Sequence, residues 1–122
     1  MKYLCLIYLN EKEMDAMPAG DLDALNGRHL DFNDGLRASG HFIEAEALEP
    51  SSKTACVRVR NGKTSFTDGP FTEAKELVAG FYLIEARDRS EAIAIAAKIP
   101  SAPLATIEVR PIHTLVVEGR EP

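Results

Sequence analysis

The chain has 122 residues, 45% of them hydrophobic and 27% charged, with a formal net charge of −5. That suffices for one domain over residues 1–122 with a real core and no metal or disulfide staple. The acidic balance argues against nucleic acid as a partner, because phosphate binding wants a basic face, and no apolar run approaches the ~20 residues that cross a bilayer.

Tyr3 to Leu9 is almost continuously apolar, which predicts a central strand buried on both faces. With Lys2 before it the run imitates a signal peptide. It is too short and lacks a small-residue cleavage site, so a first strand is expected. Asn10 to Gly20 is polar and reads as a loop. Asp21 is placed to cap a helix on which Leu22, Leu25, His29, Phe32 and Leu36 recur at three- and four-residue steps. That helix is expected to end near Ser39, with Gly40 as a left-handed cap. His41 to Leu48 reads as a second strand, although its Ala-Glu alternation also suits a helix.

After a turn at Glu49 to Ser52, Thr54 to Arg60 alternates, with Val57 and Val59 on one side and Cys56 on the other. Asn61-Gly62 then predicts a tight hairpin, with Lys63 to Thr67 as the return strand. The hairpin reads as an insertion at the sheet edge, where Arg58, Arg60 and Lys63 discourage aggregation. Phe81 to Ala86 is a further strand, and Asp88-Arg89-Ser90-Glu91 has capping-box spacing. Ala92, Ile93, Ala96, Ala97 and Ile99 give the following helix a small-residue face, and Pro100 and Pro103 stop it. Thr106 to Val117 supplies the last strand or strand pair, bent at Pro111. Without the hairpin, the order is strand-helix-strand twice, the split βαβ pattern of ferredoxin-like folds. Cys5 and Cys56 lack CxxC spacing, so free thiols in a reducing, cytoplasmic setting are expected, with a disulfide as the alternative.

The run Asp68-Gly69-Pro70-Phe71-Thr72-Glu73-Ala74-Lys75-Glu76 constrains its own backbone: Gly69 precedes a proline and is pushed toward extended conformations, and Pro70 fixes its φ. It resembles the signature of the DGPF proteins, a branch of the YCII-related family. The likeness begins at Lys2-Tyr3-Leu4 and continues through Gly80-Phe81-Tyr82-Leu83 to Glu108-Val109-Arg110-Pro111, nearly the whole chain. Ala79 departs from the family pattern, where a second glycine is usual. The resemblance implies a ferredoxin-like α+β unit of the dimeric α+β barrel type. It leaves the activity undefined.

Five residues are candidates for chemistry. Arg28-His29-Leu30 is similar to the histidine-bearing first helix of the family, where a histidine and an aspartate have been suggested as a catalytic pair. His29 suits a general base, its ordinary pKa being near neutrality; packing inside the helix face beside Leu25 and Phe32 is the plain alternative. The family's aspartate falls at Ile99 here, so Asp68 is the expected substitute, unless it only closes an Asx turn before Pro70. Arg110 suits a bidentate grip on a substrate carboxylate or a dimer-interface ion pair. Phe71 offers an aromatic wall, and Lys75 is either a ligand contact or part of a solvated cluster with Glu73 and Glu76. His29, His41 and His113 have no zinc spacing, no Gly-rich phosphate loop is present, and no nucleophile elbow occurs. Neither a metal nor a nucleotide cofactor is therefore expected.

The expected architecture is an antiparallel four-stranded sheet with two helices on one face. Tyr8, Phe42, Phe81 and Tyr82 are too many aromatics for an open second face, so a homodimer is expected. A site, if present, is expected where the Asp68–Phe71 turn meets His29 and Arg110. There His29 acts as acid or base, Asp68 orients it and Arg110 anchors an anionic group. The functional classes left open are a small acid-base enzyme on an organic ligand, a ligand-binding or transcription-associated regulatory module, and a structural dimer.

Overall fold

Alternation along the first strand, β1 (Lys2–Leu9), decides the layering. Tyr3, Cys5, Ile7 and Leu9 are buried, whereas Leu4, Leu6 and Tyr8 between them are half-buried. Successive side chains of a strand point to opposite faces, so one face of the sheet is covered and the other is not, contrary to the expectation of a strand buried on both faces. The computed structural model describes residues 1–120; Glu121 and Pro122, the end of the expected domain, lie outside the described residues.

β1 is followed by α1 (Glu11–Asp15), α2 (Ala19–Ala38), β2 (Phe42–Ala47), β3 (Ala55–Arg60), β4 (Lys63–Asp68), β5 (Leu77–Glu85), α3 (Arg89–Ala96) and β6 (Thr106–Pro111). The main sheet has the order β2-β5-β1-β6, and all three pairings are antiparallel. This is a ferredoxin-like α+β fold. The helices cover the face that carries Cys5, Ile84 and Ile99, each almost wholly buried. Leu25 and Leu36 of α2 and Ala92, Ile95 and Ala96 of α3 complete that core.

Several local readings are corrected. The segment read as a loop before the first long helix contains α1, which Asn10 caps by accepting from the Glu13 N–H at 3.2 Å. Asp21 is not a cap: α2 begins two residues earlier, after Pro18, and Asp21 sits in its first turn near the positive end of the helix dipole. In α3 it is Ile95 that turns inward, while Ile93 is 43% exposed. Glu91 N–H donates to Asp88 Oδ1 at 2.9 Å as the capping spacing requires, but the reciprocal Glu91 carboxylate accepts from Arg87 N–H, also at 2.9 Å. β5 starts four residues before the expected Phe81, and β6 stops at Pro111 rather than running to Val117.

Of the four aromatics expected on the open face, two face the helices instead. Phe42 pairs opposite Ile84 and lies under the Arg37 guanidinium, 4.2 Å from its ring centroid, and Tyr82 is 4% exposed in the core. Tyr8 and Phe81 remain on the uncovered face with Leu4, Leu6 and Leu83. Parity explains the swap: a bulge between Ile7 and Tyr8 of β1 leaves Ala79 unpaired and resets which β5 residues point inward.

The hairpin β3–β4 forms a sheet of its own, outside the hydrogen-bonding order of the main sheet. Asn61 and Gly62 have φ of 52° and 74°, the paired positive values of a type I′ turn. Its base is closed by Gly69 N–H donating to Thr54 O at 2.7 Å and by Cys56 Sγ–H donating to Gly69 O at 3.4 Å. Gly69 adopts φ +95° rather than the expected ordinary extended backbone, which only glycine does freely. Both cysteines are free, and burial pushes the Cys5 thiol up to about 11.

Candidate functional site

A cleft of about 540 Å³ opens between α2 and the end of the sheet where β1, β5 and β2 meet. Its floor is apolar, with Ile7, Leu9, Leu22 and Leu25, and His29 of α2 and Tyr82 of β5 stand in its wall. Helical spacing brings His29 there, four residues after Leu25 and three before Phe32 on the sheet-facing stripe. His29 Nδ1 lies 2.9 Å from Tyr82 Oη, and the two rings stack with centroids 6.0 Å apart. Phe32 meets the edge of the Tyr82 ring at 5.6 Å.

Burial sets the charge state of this pair. It pushes the Tyr82 phenol up to about 12 and, helped by the nearby Arg28 cation, lowers the His29 pKa below its ordinary value. Near neutral pH both groups are therefore uncharged. The 2.9 Å separation suits either tautomer of His29. If the phenol donates to Nδ1, Nε2 carries the imidazole proton; if Nδ1–H donates to the phenol, Nε2 is a free base.

The lowered pKa has a measurable consequence. Below the ordinary pKa of 6.5 the unfolded chain binds a proton at residue 29 that the folded chain still refuses. Stability then rises with pH in that window. Acidification is expected to lower the urea midpoint from just above that ordinary value down to the depressed folded-state pKa, after which this contribution is flat. His29→Gln should remove that part of the slope; an unchanged slope in the variant would show that another group causes it.

Two further polar groups belong to the same wall. Asn33, one helical turn after His29, has its Oδ1 buried without a hydrogen-bond partner among the described residues, and so does the Oγ of Ser101, a residue only 2% exposed. Gly80 lines the cleft where β5 crosses closest to β2. The wall also holds the carboxylates Glu11, Asp15, Glu46 and Glu49, and no Lys or Arg among the described residues.

The other residues singled out from the sequence lie elsewhere. Asp68 is exposed at the end of β4, paired with Ala55 in the separate hairpin sheet. Phe71 is 72% exposed, with the Arg58 guanidinium 5.3 Å from its ring centroid. Arg110 is exposed on β6 opposite Leu4, on the uncovered face of the sheet, whereas His29 lies over the covered face. Lys75 lines a second, more open concavity of about 610 Å³ with Tyr8, Glu76 and Glu108, where Thr106 Oγ1 donates to Glu76 Oε1 at 3.3 Å. Within one chain, then, the five do not share one site, and the group hydrogen-bonded to His29 is Tyr82 rather than Asp68.

Sequence reasoning missed Tyr82, Asn33 and Ser101. Asn33 was within reach, since it follows His29 by four positions on one helix face. Tyr82 is 53 residues from His29, and Ser101 sits in the loop after α3, so no local pattern links either of them to it. His41 is engaged structurally, with Nδ1 2.7 Å from Ser39 Oγ and Nε2 3.1 Å from Glu91 Oε1, tying the end of α2 to α3.

A family model described as the YCII-related domain matches residues 1–115. An uncharacterised protein of Rhizobium meliloti (strain 1021) is 32% identical over 121 residues, covering 92% of each chain.

Proposed function

The chain belongs to the YCII-related family, and from that premise we propose that it takes a small organic molecule into the cleft beneath α2 and does acid-base chemistry on it through His29. The observation that carries this reading is the His29–Tyr82 hydrogen bond in the wall of a largely apolar cleft. Tyr82 holds the imidazole in place, and His29 gives or takes a proton at Nε2. An apolar cleft of a few hundred Å³ with a small number of placed polar groups is the usual form of a ligand site. An anionic ligand has no cation to hold it there, so Arg110 and Lys75 are assigned no role in this cleft. The nine-residue run from Asp68 to Glu76 supports a place in the DGPF branch.

A non-catalytic binding module is the second reading. It is favoured by the company His29 keeps, a phenol that stays protonated and no carboxylate within hydrogen-bond distance among the described residues. The test is a ligand-observed NMR screen of small organic fragments on the native chain, His29→Gln and Tyr82→Phe, with each binder followed for chemical change. Binders whose affinity tracks the His29 titration support the site, and turnover lost in His29→Gln supports the enzyme. Binding without turnover leaves the module. Fragments that never perturb cleft residues would overturn both.

We also propose that two copies associate through the uncovered sheet face. Leu4, Leu6, Tyr8, Phe81 and Leu83 are half-buried there with no helix over them, an apolar stretch that a second copy would cover. Sedimentation at micromolar concentration is expected to give twice the chain mass. A monomer would remove this proposal.

A further inference from the structure

We infer that the cleft beneath α2 takes a small organic amine, bound as its ammonium with an apolar body. This rests on the reading that the cleft is a binding site, and adds what it selects. Two unpaired acceptors sit in the wall: Ser101 Oγ on a residue 2% exposed, and Asn33 Oδ1. A buried acceptor without a donor costs free energy until one reaches it, and native structures keep few of them. Both lie in the wall of this one cleft, so a ligand seated in it is placed to supply the missing N–H groups. An ammonium carries three such donors and no acceptor, which suits a wall where the unmet groups accept.

Charge points the same way. Four carboxylates line the wall, with no lysine or arginine among the described residues to offset them. Glu11 accepts from Ser51 N–H at 3.3 Å and Glu49 pairs with Lys53 at 3.6 Å. Asp15 and Glu46 make no ion pair among the described residues, so their field is left for a ligand. His29 adds no positive charge near neutral pH, because burial and Arg28 lower its pKa. Leu9, Leu22, Leu25 and Val78 give the rest of the ligand an apolar seat.

Three near-isosteric probes separate the possibilities: phenethylamine, 2-phenylethanol and 3-phenylpropionate, each titrated into the ¹⁵N-labelled full chain near neutral pH. The amine is expected to bind best and the carboxylate worst, with amide shifts centred on Asn33, Tyr82 and Ser101. Ser101→Ala should weaken the amine about three- to tenfold, the worth of one lost hydrogen bond, while the unfolding midpoint holds or rises because an unpaired hydroxyl is gone. Glu46→Gln should weaken the amine and flatten its salt dependence without moving the alcohol. If the carboxylate binds in the cleft as tightly as the amine, the cleft is a site and the amine inference is wrong. If the amine binds but neither Ser101→Ala nor Glu46→Gln alters its affinity, the inference is again wrong. If no probe perturbs the cleft, the binding reading falls with it.

Discussion

Gly80→Ala is expected to destabilise the fold by about 1–3 kcal/mol, toward the upper end of what one added methylene costs in a tight core. A Cβ at residue 80 would stand 2.8 Å from the Glu46 carbonyl oxygen and 3.3 Å from Ala47 Cα. Both atoms are backbone of β2, so no flexible side chain can swing away. Relief requires β2 to move off β5, which loosens the ladder that pairs Ala47 with Gly80 and Glu46 with Phe81. Against this, alanine restricts the unfolded chain, which stabilises by about 0.4–1 kcal/mol where the native conformation is compatible; the collision outweighs it. Because Gly80 also lines the cleft, the shift of β2 should weaken ligand binding at the same time. Urea unfolding of the variant tests this, and a midpoint equal to that of the native chain would mean that β2 yields at no cost.

The same crossing shows how far the sequence could be read. Periodicity of 3.6 found the inner stripe of α2, because Leu25 and Leu36 obey it, and Asn61-Gly62 found the hairpin, because its positive φ values leave few other residues. The paired strand-helix-strand pattern was enough for the fold class. What escaped was parity and pairing at long range. A one-residue bulge at Ala79 decides that Tyr82 points into the core and Phe81 away from it, and nothing local announces that bulge. Arg110 failed to join His29 for a related reason: its register partner on β1 is Leu4, an outward residue, so the sheet stands between them. Asp68 was read as part of a turn near the helix but belongs to a hairpin with its own sheet. The short helix α1 was legible and overlooked, since Asn10 and Glu13 already have capping spacing.

Tyr82 is where core and site coincide, and its truncation is expected to have the largest effect of all. Tyr82→Ala should cost about 3–5 kcal/mol, the range for removing a buried aromatic ring. The residue is 4% exposed, carries the edge contact with Phe32 and stacks on His29. Tyr82→Phe separates the two roles. It keeps the ring and its packing but leaves His29 Nδ1 without the hydroxyl at 2.9 Å, a loss of about 1–2 kcal/mol for a half-buried pair. A double-mutant cycle with His29→Ala should then return a coupling of about 1 kcal/mol, because the two side chains share one hydrogen bond. The imidazole signals offer an independent reading: removing the phenol should alter the His29 titration and its tautomer balance. Should Tyr82→Phe unfold at the native midpoint, show no coupling and leave the His29 titration in place, the hydrogen bond does no work in solution. His29 would then be a packed core histidine, and the acid-base role assigned to it would go with the bond.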